Sequence, residues 1–285
     1  MMNIGVTGAN GYVGGKIVKY FKRLNHTVYE LKRKSQAQND PFWIPYDLSV
    51  EIPEGNLKKV DVLIHCAYDF RPAHWDEISR INIEGSRRLF EIAARSGIKK
   101  VVFVSSMSAF EGAKSMYGKA KLEIEGIAQK YGFPVVRPGL VFGNPSGGMV
   151  GGLLQMIEKS KVIPLIRGGK QPFYLCHDED LCRLIEYCIQ NSAGSKPMIA
   201  ANDQKIYFYE VLNTLAAFKR KKILFIPFPA APIYFGIKTL ETFGVKTRMR
   251  SDGLVSLLNQ NQSLDFGATQ KTGVHFRPFN SQTLN

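Results

Sequence analysis

A doubly wound, parallel α/β sheet is the fold class this sequence predicts, and three observations predict it. The first half of the chain alternates short β-branched runs with amphipathic helical stretches. A glycine-rich turn joins the first run to the first helical stretch. One run, Val101-Val102-Phe103-Val104, is apolar at every position, as expected of a strand buried on both faces. Strand, helix and strand in repetition require parallel strands covered by helices.

The elements follow in order. Residues 3–7 read as a strand, 12–24 as a helix and 27–31 as a second strand. A third apolar run covers 60–65. The stretch 78–95 is helical, because Ile78, Ile81, Leu89, Ile92 and Ala93 fall roughly on one face. After the strand at 101–104 come a helix at 117–131 and a short strand at 134–136. Beyond Gly143 the alternation weakens. Gly147-Gly148 and Gly151-Gly152 punctuate a helix running to Lys159, and further helices are expected over 180–190 and 209–219. The expected organisation is a dinucleotide-binding sheet domain over 1–143 and a small substrate lobe over 144–285, interleaved with the last sheet strands.

Composition narrows the function. The chain has 285 residues, 45% of them hydrophobic, enough for a sizeable core and against disorder. Cys66, Cys176, Cys182 and Cys188 form no CxxC pair, so neither a disulfide scaffold nor a zinc finger is indicated, and no metal site is expected. Cys182 and Cys188 read as packing groups on a helix. The net charge of +14 attracts anions such as nucleotides, phosphorylated metabolites or acidic membranes. The basic residues are dispersed apart from Lys32-Arg33-Lys34 and Lys219-Arg220-Lys221-Lys222, and no aromatic-basic recognition module accompanies them, which argues against nucleic acid. The opening residues lack a secretory pattern. The apolar stretch 223–240 contains Pro227, Pro229 and Pro232, which argues against a membrane-spanning helix and for a cover over the lobe. A cytoplasmic protein is the expectation.

The first strand runs directly into Thr7-Gly8-Ala9-Asn10-Gly11-Tyr12-Val13-Gly14. Gly8 permits a tight turn, Gly11 lets a diphosphate approach the backbone, and Gly14 lets the helix pack closely on the strand. The helix N-terminus then offers free N–H groups to phosphate. This is the pattern of a Rossmann-type dinucleotide site, in its proper context between strand and helix. The second strand ends in Glu30-Leu31-Lys32-Arg33. A carboxylate there would select the ribose 2′-hydroxyl of NAD, whereas Lys32 and Arg33 suit the 2′-phosphate of NADP. Strand alternation points Glu30 away from the position beside Lys32. NADP is therefore the expected cofactor, with NAD the alternative.

Val104-Ser105-Ser106 is followed by Tyr117-Gly118-Lys119-Ala120-Lys121. Tyr117 and Lys121 are four apart on a helix and share a face. An ammonium beside a phenol lowers its pKa from ~10 toward working pH. Tyr117 can then exchange a hydroxyl proton while hydride moves at the adjacent carbon, with Ser106 hydrogen-bonding the same oxygen.

With these motifs the chain resembles the short-chain dehydrogenase/reductase superfamily, on its extended epimerase/dehydratase-like branch. The resemblance covers most of the chain. Asp47-Leu48 resembles the family's adenine-contacting pair, and His65-Cys66-Ala67-Tyr68 its strand-end segment along the cofactor cleft, with Tyr68 departing from the pattern. Asn82-Ile83-Glu84-Gly85 resembles a family helix. Arg137-Pro138-Gly139-Leu140-Val141-Phe142-Gly143 resembles the segment beside the nicotinamide, and His177-Asp178-Glu179-Asp180-Leu181 a later family element. His65 and His177 read as structural histidines at element ends.

The resemblance implies catalytic roles for Ser106, Tyr117 and Lys121, with Lys121 also holding the nicotinamide ribose. It implies a sugar or nucleotide-sugar substrate and a homodimer through the helices at 78–95 and 117–131. The departures matter. Met107 and Ser108 stand where family dehydratases carry Asp-Glu, so sugar dehydration is not expected. Phe173 stands where an arginine often binds the substrate diphosphate, leaving Arg167, Lys170, Arg248 or Arg250 as substitutes. The expected function is reversible oxidation at a secondary alcohol or reduction of a ketone, either net or within an epimerisation. Its rivals are an NADP-dependent reductase of a non-sugar carbonyl and a non-catalytic dinucleotide sensor.

Overall fold

Seven strands form the central sheet, every pairing parallel, in the order β11-β6-β5-β4-β1-β2-β3. The computed structural model describes residues 1–33, 40–144, 146–191, 194, 196–243, 245, 250–261 and 263–284. Of the residues singled out above, Lys34 and Arg248 lie outside these. The first half supplies β1 (Asn3–Thr7), α1 (Tyr12–Arg23), β2 (Thr27–Lys32), β3 (Trp43–Pro45) and β4 (Val62–His65). Next come α2 (Trp75–Ile78), α3 (Glu84–Arg95), β5 (Lys100–Val104), α4 (Met116–Lys130) and β6 (Val135–Pro138). The second half holds β7 (Leu140–Phe142), α5 (Gly148–Lys159), β8 (Val162–Ile166), β9 (Pro172–Phe173), β10 (Leu175–His177) and α6 (Asp178–Gln190). It continues with β11 (Met198–Ala200), β12 (Ile206–Tyr207), α7 (Phe208–Phe218), β13 (Leu224–Phe228), α8 (Ala230–Thr242) and α9 (Ser251–Leu258).

The sheet divides two cores. Leu31, Leu63, Phe90 and Phe103 lie in one, on the side of α3 and α4. Ile4, Val6, Ile17, Phe21 and Leu184 lie in the other, on the side of α1 and α6. β1, β4 and β5 are buried on both faces, as the apolar runs Val62-Leu63-Ile64 and Val101-Val102-Phe103-Val104 require of β4 and β5. Strand order reverses between β1 and β4, which opens a crevice at their carboxyl ends, the place where such sheets bind ligands. The later residues build a third core around Phe142, Leu154, Ile163 and Leu212, with β8 and β13 paired beside it.

The helix expected over 78–95 starts earlier, at Trp75, and passes through a π-helical stretch, Ser79–Ile83, before α3. That widened turn contains Asn82, fully buried, whose amide oxygen accepts from the Asp69 N–H at 2.7 Å while its amide nitrogen donates to the Asp69 carbonyl at 3.1 Å. Residues 180–190 form a helix that begins at Asp178, because the His177 ring caps it by accepting from the Glu179 N–H at 3.2 Å. The stretch 223–240 splits into β13 and α8 at Pro229, which is the helix N-cap. Pro232 falls in the first turn of α8, where a missing N–H does no harm.

A buried polar chain ties the ends of β1 and β4 to α3. The Ser86 hydroxyl donates to the Asn82 carbonyl at 2.6 Å, so it accepts from His65 Nε2 at 2.9 Å. Nδ1 of His65 is then left without a proton and accepts from the Thr7 hydroxyl at 2.7 Å. The Thr7 oxygen in turn accepts the N–H groups of Cys66 and Ala67 at 3.0 and 3.1 Å. A second proton on His65 would point at an oxygen whose lone pairs are already used. Burial, helped by the Lys121 charge, lowers the His65 pKa from 6.5 to about 3.

The sign of the pH effect follows. As pH falls from 6.5 toward 3, the unfolded chain takes up a proton at this residue that the folded protein refuses. The stabilisation is complete above 6.5 and is lost progressively below it. Unfolding free energies measured by urea titration across this window should fall about 1.4 kcal/mol per pH unit more steeply for the wild type than for His65→Asn. Parallel slopes for the two proteins would contradict the neutral-histidine account.

Candidate active site

The glycine turn is shaped for a diphosphate. Gly8 sits at φ +68°, and a Cβ there would meet the Ala67 backbone at 3.0 Å. At Gly14 a Cβ would lie 2.3 Å from the Gly8 carbonyl oxygen, so only glycine lets α1 pack this close. Gly11 is the α1 N-cap; no side chain caps it, and no acidic residue occupies the first turn. The first N–H groups of α1 and its positive end are therefore presented to the crevice, the arrangement a phosphate group needs.

Every cofactor and catalytic residue expected from the sequence lines a single cleft of about 630 Å³ that opens over the β1–β4 switch. Asp47 and Leu48 form one wall, docked against α3 where Arg88 donates to the Leu48 carbonyl at 3.0 Å. At the end of β2 the structure corrects one reading. Glu30 is not turned away from its basic neighbour: its carboxylate accepts from Lys32 at 2.6 Å and from Lys22 at 2.8 Å, since residues two apart on a strand share a face. These two ammonium groups hold the Glu30 carboxyl below its usual range despite burial. Arg33 is more exposed and lies 3.8 Å from both Asp47 and Asp69.

Ser106, Tyr117 and Lys121 line the same cleft, supplied by the end of β5 and by α4. Ser106 follows β5, which carries it to the sheet edge. Ser115 caps α4 by accepting the Gly118 N–H at 3.1 Å, and this sets Tyr117 in the first turn with Lys121 one turn later. Burial raises the Tyr117 phenol above its ordinary pKa, and a hydrogen bond with Ser106 counters that rise. Burial lowers the Lys121 ammonium to about 8, while Cys66 and Glu125 pull it the other way. Its Nζ donates to the Val104 carbonyl at 3.0 Å and lies 4.7 Å from the Phe103 ring centroid. Burial also pushes the Cys66 thiol up to about 12, so it is no nucleophile despite lining the cleft.

Behind this set lies a group that the sequence reading missed. Buried Glu125, one turn beyond Lys121, accepts from the Ser105 hydroxyl at 2.5 Å and from Arg137 at 2.8 and 2.6 Å. It fastens α4 to the ends of β5 and β6. The sequence signal was the four-residue spacing Tyr117, Lys121, Glu125, all on one helix face.

The lobe reaches across the cleft. Asp252 of α9 accepts the Met116 N–H at 2.7 Å and the Tyr117 N–H at 3.0 Å, capping the first turn of α4 from a distant part of the chain. Arg250 donates to the carbonyls of Phe70 and Pro72 and lies beside Glu241, so it is engaged with protein groups. Phe70 stacks on Tyr117 at 5.5 Å between centroids, with Tyr68 edge-on to it at 4.9 Å. Arg167 and Lys170 are exposed and lie outside the cleft, and Phe173 packs in the lobe core against Phe208. Among the described residues, no group of three or more His, Cys, Asp or Glu is placed to hold a metal ion, and no helix is long and apolar enough to cross a membrane.

A methyl group at Gly14 cannot be relieved by a flexible neighbour, because it meets backbone. Gly14→Ala should weaken NADPH binding at least tenfold in a fluorescence titration and lower the melting temperature by several degrees, as overpacking that costs about 1–3 kcal/mol does. Wild-type affinity in this variant would show that the turn does not seat the dinucleotide.

Comparison with known proteins agrees with this architecture. Residues 4–201 match the profile of the family described as NAD dependent epimerase/dehydratase. An uncharacterized protein, y4nG, of Sinorhizobium fredii (strain NBRC 101917 / NGR234) is 31% identical over 62% of this chain and 50% of its own length. An N-acetyl-alpha-D-glucosaminyl-diphospho-ditrans,octacis-undecaprenol 4-epimerase of Escherichia coli O157:H7 is 20% identical over 67% of this chain and 64% of its own. The chain thus spans half to two thirds of the length of these curated relatives. Among solved structures, MoeE5 in complex with UDP-glucose and NAD superimposes with a TM-score of 0.70 at 19% identity, over 95% of this chain and 99% of that one. Gox2253 does so with a TM-score of 0.73 at 16% identity, over 100% and 96%. The glycine turn, the parallel sheet and the profile match together make this chain a member of the NAD dependent epimerase/dehydratase family.

Proposed function

We propose that the protein is an NAD(P)-dependent oxidoreductase or epimerase acting at a secondary alcohol or ketone of a sugar or nucleotide sugar. The observation that carries this reading is that Ser106, Tyr117 and Lys121 line the same cleft as the glycine turn and Arg33. A bound nicotinamide dinucleotide would supply or accept hydride at the substrate carbon. The N–H groups at the start of α1 would hold its diphosphate, Asp47 and Leu48 its adenosine, and Lys121 its nicotinamide ribose. Ala67, Pro138 and Val141 would line the pocket around it.

Tyr117 gives a proton to the carbonyl oxygen, or takes one from the hydroxyl, as the carbon changes oxidation level. Ser106 hydrogen-bonds the same oxygen and fixes its position. The Ser106 hydrogen bond is what counters the burial of the Tyr117 phenol, and Lys121, one helical turn away, loses its charge as pH rises through about 8. Met107 and Ser108 carry no carboxyl group to expel a hydroxyl, so the reading excludes sugar dehydration. The names of two relatives, one acting on a diphospho-linked N-acetylglucosaminyl group and one bound to UDP-glucose, support a sugar substrate. A second reading, reduction of a non-sugar carbonyl, is favoured by the Tyr68 and Phe70 rings around Tyr117 and by the engagement of Arg250.

The deciding experiment incubates the protein and NADPH with keto-sugar nucleotides, hydroxy-sugar nucleotides and simple ketones. Net loss of nicotinamide absorbance marks a reductase, and an epimeric product without net cofactor turnover marks an epimerase. In either case Tyr117→Phe should lower turnover roughly 10²–10⁴-fold with cofactor affinity little changed. Lys121→Met should lose both. Full turnover in Tyr117→Phe would refute the mechanism.

Cofactor choice rests on Arg33. Lys32 is already paired with Glu30, so the guanidinium is the better partner for a 2′-phosphate. Arg33→Asn should weaken NADPH binding about 10–100-fold, the worth of a charged hydrogen bond, and leave NADH within a factor of a few. Tighter NADH than NADPH binding by the wild type would assign the site to NAD.

A further inference from the structure

We propose that the outward face of β13 and α8 docks the protein on an anionic lipid bilayer. Ile223, just before β13, and Phe225 within it pack against the lobe core, and Leu224, Ile226 and Phe228 are exposed. α8 is amphipathic in an inverted sense. It lays Ala230, Ile233, Tyr234 and Ile237 on the lobe, yet none of its residues is buried and its outer side carries Phe235, 66% exposed, and Leu240. Phe243, 79% exposed, and Val245 are exposed just beyond α8. Isolated exposed apolar residues are ordinary, but two consecutive elements that present them together mark a surface with an apolar partner.

The charge beside this face identifies the partner. Lys219-Arg220-Lys221-Lys222 lead directly into β13, and the Leu224 N–H donates to the Lys161 carbonyl at 2.9 Å, which sets Lys161 at the same edge. Lys159 and Lys221 lie close enough to act on Glu158, which pairs with Lys219 at 2.6 Å. Lys238 projects from α8, where the acidic residue, Glu241, is occupied by Ser251 and Arg250. Aromatic and aliphatic side chains ringed by lysine suit the headgroup boundary of an anionic membrane, where the rings enter the acyl region and the ammonium groups meet phosphate.

A second copy of the chain fits less well. Pairing two β13 edges would bring two basic clusters together, and Pro227 lacks the N–H a strand ladder needs. The docking face is also mechanically close to the chemistry, for α8 packs on α9 and α9 caps α4.

The test is co-sedimentation of the full chain with vesicles of phosphatidylcholine alone and of phosphatidylcholine with one third phosphatidylglycerol. Binding is expected to the mixed vesicles, to fall with added salt, and to be weak to the neutral ones. Lys221→Ala with Lys222→Ala should lower the partition coefficient roughly thirtyfold, at the usual contribution of a basic residue near a charged membrane. Leu224→Ser with Phe235→Ser should lower it about tenfold or more. These side chains line neither the cleft nor a core, so melting temperature and NADPH affinity should stay at wild-type values, which separates lost docking from lost folding. Absence of binding to the mixed vesicles at low salt would overturn the proposal. So would binding unchanged by both pairs of substitutions, or a dimer in sedimentation velocity that the serine variants dissociate while vesicle binding persists.

Discussion

The cleft depends on a run of hydrogen bonds in which every proton has one place to go. Asn82 fixes the Ser86 hydroxyl, Ser86 fixes the His65 tautomer, His65 fixes the Thr7 hydroxyl, and Thr7 receives the N–H groups of Cys66 and Ala67. Thr7, His65, Asn82 and Ser86 are buried, so their polar groups must be satisfied internally. The result is that the ends of β1 and β4 hold a constant separation. Gly8 and Ala67, which face each other across the switch point, can then approach as closely as backbone allows. The same chain reaches Asp69 through Asn82, and so positions the loop carrying Tyr68 and Phe70 beside the Tyr117 phenol.

Much of this was legible in the amino-acid sequence because local and global preferences coincide there. An unbroken apolar run such as Val101–Val104 has one stable home, a strand covered on both faces, and a glycine at 14 is explained by a helix packed on its own strand. The residues lining the cleft were legible for the same reason: they sit at strand ends, where a parallel sheet opens. What was not legible depends on partners distant in sequence. No local signal announces that Asp252 caps α4, or that Arg250 is engaged by two carbonyls at Phe70 and Pro72. The Glu30–Lys32 pair was misread because the alternation of strand side chains puts residues 30 and 32 together, and two ammonium groups offset the burial of that carboxylate.

Charge is distributed by function across the molecule. In the cleft, the basic groups that matter are few and each has a protein partner: Lys32 with Glu30, Arg33 near Asp47 and Asp69, Lys121 on the Val104 carbonyl. Buried Glu125 matches Arg137 in the same manner. On the outer side of the lobe the lysines stand in sequence with little acidic company. A net charge of +14 therefore describes a surface property more than a property of the cleft.

The reach of Asp252 to the first turn of α4 also bears on the order in which the parts come together during synthesis. A chain emerging from its N-terminus has the glycine turn, β1 to β5 and all of α4 in hand long before residue 252 is made. In such a nascent chain the N–H groups of Met116 and Tyr117 still await their carboxylate. Completion of the α4 turn that carries Tyr117 is thereby deferred until Asp252 has been made. On the proposed mechanism, a half-made chain would thus hold the glycine turn before it held the carboxylate that completes the Tyr117 turn.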